Sequence, residues 1–422
     1  MKVLVIGSGG REYSICKRLH EENPELDLFC LPGNPAMTFL TRVPDIGVKE
    51  TEQVLAFAQE KAIDFCLVTP DDPLALGLVD LLEGAGIPCF GPVRAAARLE
   101  SSKAFAKSFM LRHGIPTAGY AEFDDYEQAL SYCREQSYPL VIKADGLALG
   151  KGVEIVADPA AAKAVLADFL LKQKFGESSA RVIVEEFLEG PEISVLSFCD
   201  GKTILPMISS MDHKAAYDGD RGPNTGGMGC VAPNPYYTAE VEQSFRRDIL
   251  EPTLKGLSAD GLDFRGCLYF GLMLTSSGLK LLEYNARFGD PETQVILPLL
   301  KSNLWEVLQL TSKGQLDRAR LEFSDGAACC IVMAAEGYPV KPVKGGRITY
   351  PANLEDQIIF AGVGRDAKGY FATSGRVLNV IGLGPSLGEA VATAYNFTEQ
   401  ITFKQSFYRH DIGRKALQGE DL

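Results

Sequence analysis

The stretch LEYNARFGDPE, residues 282–292, sets a carboxylate, a carboxamide and a guanidinium at alternate positions: Glu283, Asn285 and Arg287. On an extended strand, residues two apart share a face. The three polar groups therefore project together, and Leu282, Tyr284 and Ala286 are expected to face the core. A carboxylate beside an amide oxygen suits a hard cation such as Mg²⁺, which keeps several waters and draws its remaining ligands from nucleotide phosphates. An arginine one step further along can neutralise a transferring phosphoryl group or hold a carboxylate. A solvated polar ladder on an edge strand would also read this way, but the stretch runs on into a tight turn with another acid, Asp290, and not into a charge run.

Two earlier stretches fit beside it. KADGLALGKGV (143–153) puts Lys143 at the end of an apolar strand and then Gly146, Gly150 and Gly152 around Lys151. Amides on such a turn can approach phosphate oxygens closely. It is not the G-x-x-x-x-G-K-[ST] loop, since Val153 follows and no helix is expected there; a hairpin turn with a solvated lysine fits it equally well. In RVIVEEFLEGPEIS (181–194) an apolar strand runs into Glu185 and Glu186, and Glu192 begins the next strand. The Glu186 carbonyl and the Leu188 amide, flanking Phe187, have the spacing to meet adenine's amino donor and ring-nitrogen acceptor. Glu185 is within reach of that amino group, and Glu192 of both ribose hydroxyls. SSKAFAKSFMLRHGIPT reads as a helix capped by Ser101 or Ser102 and ended by Gly114 and Pro116.

The 422 residues predict roughly two to four domains. In 1–100, apolar runs at 3–6, 28–31 and 65–68 alternate with helical patterns, which predicts an open parallel α/β sheet. Ligands of such sheets bind at the carboxyl ends of the strands. There, GSGGRE (7–12) fails the G-x-G-x-x-G pattern at Glu12, but amides around Gly9, Gly10 and Arg11 at a helix start make an anion pocket. TPDDPL (69–74), with Pro70 and Asp71, is a second candidate substrate wall on the same edge. A central region spans 101–324, with a small α+β unit read from Tyr138 to Ile208. Within it, DHKAAYDGDRGPNTGGMG is too long and irregular for a simple connector. From 325 to 422, short strands with glycine turns and one helix predict a small C-terminal α+β domain.

Lys+Arg 42 against Asp+Glu 55 gives a net charge of −13, which repels nucleic acid and anionic membranes. The longest apolar stretch, about 327–335, is well short of the ~18 residues of a spanning helix. The N-terminal apolar run meets glycine too early for a secretory segment, so a cytoplasmic location is expected. Ten scattered cysteines without a C-x-x-C read as reduced, buried, structural thiols. Four histidines and no G-x-S-x-G leave nucleophilic triads without support. His20 and His113 read as surface residues, and His213, in D-H-K, is the one histidine considered functional.

Taken in order, Lys103, Lys143 with its glycine turn, E-E-F-L with Glu192, and E-x-N-x-R resemble the ATP-grasp enzymes. More closely, GSGGRE, SKAFAK, IKADGLALGKGV, EEFLEGPEIS, DHK, GPNTGGMG, EYNARFGDPETQ and YRHDIG are similar to the phosphoribosylamine–glycine ligase, or glycinamide ribonucleotide synthetase, family. These blocks extend from residue 7 to residue 413. The resemblance implies an ATP-grasp fold with a mobile lid at 120–192, and the joining of glycine to 5-phosphoribosylamine through glycyl phosphate in purine synthesis. It implies ATP and Mg²⁺ or Mn²⁺ as cofactors, and the expected assembly is a monomer or weak dimer. Lys103, Lys143, Gly150, Lys151 and Gly152 would hold ATP phosphates, Glu185 to Leu188 the adenine, Glu192 the ribose, and Glu283 with Asn285 the metal. Arg287 and Asp290 would line the reacting centre. Gly9, Gly10, Arg11, Glu12, Pro70, Asp71, Asp212, His213, Lys214, Asn224, Thr225, Gly226 and Gly227 would meet the other substrates. Asp212, His213 and Asp290 are all conceivable bases for the attacking amine. The chain departs from the family pattern at Tyr13-Ser14, Thr69 and Ser374, where His-Ala, Gly and Gly are usual. The strand before E-x-N supplies no acid, so the metal is expected to have two side-chain ligands.

Overall fold

The computed structural model describes residues 1–41, 44–148 and 152–419. Lys2–Gly7 lies between Asp27–Pro32 and Phe65–Val68, and Cys89–Phe90 closes the row, all four strands parallel. Burial on both faces explains why these strands are almost continuously apolar. Strand order reverses at Lys2–Gly7, so its carboxyl end and that of Phe65–Val68 form the switch-point edge where ligands bind.

An antiparallel sheet follows, ordered Tyr120–Phe123, Val182–Glu186, Leu140–Ala144, Val153–Val156. Helices Tyr126–Glu135 and Pro159–Leu166 cover one face, capped by Asp125 and Asp158 through hydrogen bonds from the third residue on. Leu130, Ile142, Phe169 and Val184 belong to a core confined to this unit. Its last strand turns at Gly190, φ +151°, where a Cβ would overlap the Leu274 carbonyl; only glycine allows this approach.

The chain then enters a second antiparallel sheet, Ile204–Pro206, Glu192–Cys199, Gly266–Thr275 and Gly278–Asn285. A C-terminal sheet is ordered Met211–Asp212, Gly229–Ala232, Ala327–Ala335, Arg376–Gly384, Ile358–Phe360, with Ser406–Phe407 also on Ala327–Ala335. Its first two strands come from the stretch that the sequence reading placed in the central region. They are short, flank the glycine-rich segment and pair with each other, and the second joins the sheet through Ala327–Ala335, about a hundred residues on, so no local periodicity marks them. One core passes through Val5, Leu196 and Cys330, joining the first, third and fourth sheets. All ten cysteines are buried and unpaired. No helix among the described residues is long and apolar enough to cross a membrane.

One register shift matters for the site. Gly271 faces Glu283 but Leu272 faces Leu281, so Leu282 is the extra residue of a bulge. Leu281 and Tyr284 are buried in the core, whereas Leu282 and Glu283 both line the cleft. The expectation that Leu282 faces the core is corrected: strict alternation fails where the strand bulges.

Candidate active site

A cleft of about 620 Å³ lies between the second and third sheets, with Arg11 and Asp71 at its N-terminal side and Tyr338 and Arg376 at its C-terminal side. One half of it is dominated by lysines. Ser102 caps helix Lys103–Arg112 by accepting from the Phe105 amide, which sets Lys103 in the first turn. Lys103 Nζ donates to the Gly146 carbonyl at 3.1 Å, and burial holds its pKa below the usual lysine value despite nearby Glu283. Lys143 Nζ lies 2.9 Å from Glu185 Oε1, and Lys107 Nζ 3.0 Å from Glu185 Oε2. Lys107 also donates to Thr117 Oγ1 at 2.7 Å, and burial lowers its pKa to about 8. Glu185, only 2% exposed, lines the cleft while paired with these two lysines. Sequence reasoning passed over Lys107, although its spacing of four from Lys103 puts both on one helix face.

Glu186, Phe187, Leu188, Glu192 and Gly152 line the cleft as expected. Glu186 Oε1 accepts from the Gly119 amide at 2.9 Å and lies 3.1 Å from Lys280 Nζ; the amide first, then Lys280, hold its pKa low. Glu192 Oε2 is 3.0 Å from Lys214 Nζ, and the Glu192 carboxylate raises the pKa of that lysine. Gly150 and Lys151 lie outside the described residues.

Glu283 and Asn285 stand side by side on the cleft wall. Burial opposes ionisation of Glu283, but Lys214, Lys143, Lys103 and Arg287 outweigh it and lower its pKa. An ionised carboxylate beside an amide oxygen fits Mg²⁺ or Mn²⁺ chemically. Among the described residues there is no group of three or more His, Cys, Asp or Glu side chains able to hold a metal, so further ligands would come from phosphates and water. Arg287 Nη2 lies 3.0 Å from Glu100 Oε1 and 3.5 Å from Asn285 Oδ1. Glu100 also accepts from the Ala286 amide, and burial raises its pKa against the pull of Arg287. No motif pointed to Glu100, whose role as anchor depends on tertiary contact.

The other half is built from distant segments. Asp290 accepts from Gln294 at 2.8 Å and from the Arg11 amide at 3.3 Å, and lies 3.4 Å from Arg376. Burial would raise its pKa, but Arg376 and then Arg11 prevail and lower it. Arg376 Nη1 also donates to the carbonyls of Gly226 (2.7 Å) and Asp290 (2.6 Å), tying the C-terminal domain to both. Sequence reasoning noted Arg376 only beside a departure from the family pattern. Asn224, Thr225, Gly226, Asp212 and Lys214 line the cleft as expected.

Other expected residues do not line it. Gly10 is packed against Asn379 and Gln294, and Gly9 against Glu12 and Asp290. Glu12, 2% exposed, accepts from the Gly9 amide at 2.7 Å and sits 2.8 Å from Thr69 Oγ1. Pro70 starts helix Asp71–Leu76. Gly227 lies under the cleft, where a Cβ would overlap Pro291. His213, 4% exposed, has Nδ1 3.1 Å from the Gly229 carbonyl, and Nε2 accepts from the Gly413 amide. Both ring nitrogens are used, and burial lowers its pKa to about 4. It is a structural histidine, corrected from a candidate base. Two of the three departures are also internal: Tyr13 packs against Phe39 and Phe360, and the Thr69 hydroxyl lies 2.7 Å from the Ile6 carbonyl, whereas Ser374 is exposed.

A lysine-lined cleft between two antiparallel sheets, with a carboxylate–carboxamide pair on its wall, defines an ATP-grasp enzyme. The model for the phosphoribosylglycinamide synthetase ATP-grasp (A) domain matches 101–293, with that family's N domain at 1–100 and C domain at 328–415. The phosphoribosylamine–glycine ligase of Clostridium acetobutylicum is 42% identical over 98% of this chain and 100% of its own, and that of Brucella melitensis is 44% identical over 100% and 99%. The crystal structure of the Thermotoga maritima phosphoribosylamine–glycine ligase superposes with a TM-score of 0.84 at 34% identity, covering 98% of this chain and 100% of that one. The biotin carboxylase domain of Hydrogenobacter thermophilus 2-oxoglutarate carboxylase, in complex with MgADP, shares the fold at a TM-score of 0.75 and 18% identity, over 96% and 91%. The chain belongs to the phosphoribosylglycinamide synthetase family.

Proposed function

We infer that this chain joins glycine to 5-phosphoribosylamine at the expense of ATP, giving glycinamide ribonucleotide, ADP and phosphate, a step of purine synthesis. The observation that carries the reading is Glu283 beside Asn285, with Lys103 and Lys143 behind them and Arg287 ahead, in one cleft. Glu283 and Asn285 would hold a divalent cation, which when bound would supply charge neutralisation at the phosphates. A glycine carboxylate oxygen attacks the γ-phosphorus and ADP leaves. The ribosylamine nitrogen then attacks the acyl carbon, phosphate departs, and the amine gives up a proton. No protein nucleophile is required, in keeping with a cleft without cysteine or histidine among its described lining residues.

The protein's part is positioning and electrostatics. Lys103 and Lys143 draw the phosphates, the Glu186–Leu188 backbone takes the adenine edge, and Glu192 is placed for the ribose. Arg287, steadied by Glu100, faces the carboxylate and phosphoryl group. Asp212 and Asp290 remain the candidate bases. The same reading puts the enzyme in the cytoplasm, as a monomer or weak dimer without nucleic-acid or membrane partners. ADP release tested over a panel of acids and amines checks it: turnover is expected only with glycine and phosphoribosylamine together. Equal turnover with another pair would refute it in favour of a related ligase.

A further inference from the structure

We propose that Glu292, assisted by Asp212, is the ammonium-binding subsite for the amino acid substrate. The inference rests on the ligase reading above and assigns one end of its acid substrate.

Glu292 is 5% exposed, yet it lines the cleft, and among the described residues its carboxylate has neither a hydrogen-bond nor an ion-pair partner. A buried acid in that condition calls for a proton or a cation. The nearby cations are already committed: Lys214 to Glu192, Arg287 to Glu100, Arg376 to Asp290. Asp212 deepens the deficit. It comes from the C-terminal sheet, accepts from the His213 amide at 2.7 Å, and has a pKa raised by burial and next by Glu292, against the pull of Lys214 and Arg376.

The packing keeps this spot open for something small. A Cβ on Gly227 would stand 2.7 Å from Asp212 Oδ1, and one on Gly289 would overlap Glu292 Oε2. The divalent cation of the ligase reading already has Glu283 and Asn285, and no metal-competent group of three occurs among the described residues. An ammonium offers three N–H donors and one positive charge, which two carboxylates can receive. Arg287 supplies the opposite charge in the same cleft, and Glu292 is among the acids that raise its pKa. A zwitterion with adjacent carboxylate and ammonium matches that pattern, whereas a simple carboxylic acid fills only half of it.

Glu292→Gln is compared with wild type in initial rates with ATP, phosphoribosylamine and either glycine or acetate. Loss of a charged hydrogen bond is expected to raise KM for glycine about tenfold or more. KM for ATP should stay within about twofold, and the preference for glycine over acetate should fall by the same factor as glycine weakens. Asp212→Asn gives the same readout with a smaller shift, and carries the test if Glu292→Gln does not fold. A normal glycine KM and preference in the folded variant overturns the inference alone, as does a rise confined to phosphoribosylamine. A wild-type enzyme without glycine-dependent turnover overturns the ligase reading and this subsite with it.

Discussion

The two halves of the cleft are made differently. The lysine-rich half is local: Lys143, Glu185 and Glu186 sit on adjacent strands of one sheet, and Lys103 and Lys107 share one helix. The other half gathers Arg11, Gly226, Asp290 and Arg376 from all along the chain through backbone contacts. A local half can be read from motif spacing, whereas an assembled half depends on which distant loops meet. The first should therefore fail under substitution through charge, and the second through geometry.

The largest expected effect tests the charge side at its centre. Glu283→Ala removes the carboxylate proposed to hold the metal and should lower kcat by at least about a hundredfold, the scale set by loss of an electrostatic group at a transferring centre. The fold should persist, because the side chain faces the cleft and not the core. Near-normal turnover in a folded Glu283→Ala enzyme would remove the metal role from this pair.

Next in size is the buried Lys107–Glu185–Lys143 group. Lys107→Met leaves Glu185 with one lysine, and breaking a buried pair typically costs about 3–5 kcal/mol. It should also raise KM for ATP about tenfold, since Glu185 then draws harder on Lys143 and away from phosphate. Glu185→Gln in the Lys107→Met background should cost less than the sum of the single changes in urea unfolding. Strict additivity would mean that the three groups do not act as a unit.

On the assembled side, Arg376→Ala cuts the ties from the C-terminal domain to Gly226 and Asp290. Its expected effect is a severalfold higher KM for phosphoribosylamine with KM for ATP nearly unchanged. If ATP binding weakens equally, the two halves are not separable in the way their construction implies.

The same contrast explains how much the sequence disclosed. Alternation in 282–292 revealed Glu283, Asn285 and Arg287, and strand-and-helix alternation in 1–100 revealed the parallel sheet. Alternation could not reveal the bulge at Leu282, since the inserted residue is defined only by its partner strand. Glu12, in GSGGRE, and His213, in an irregular polar segment, looked available. The structure turns both inward, Glu12 onto Gly9 and Thr69, His213 onto Gly229 and Gly413. Lys107 and Glu100 escaped notice because burial and pairing gave them their roles, and neither property belongs to a motif. Met211–Asp212 and Gly229–Ala232 went unread as strands for the same reason: their sheet is completed by strands far down the chain.

The smallest expected effect concerns His213 and appears in stability, not catalysis. Burial lowers its pKa to about 4 from an ordinary 6.5, so the unfolded chain binds a proton over an interval where the folded one does not. Stability from this source is complete above about pH 6.5 and is lost as pH falls toward 4, up to about 3 kcal/mol. His213→Gln replaces a titrating ring with a neutral side chain that can still donate and accept. Urea midpoints for wild type and variant should converge as pH drops from 7 to 4.5, while the pH dependence of kcat stays that of wild type. A kcat profile that loses its acidic limb in the variant would instead return His213 to the reacting centre, with the ring turned from Gly229 and Gly413 toward the attacking amine.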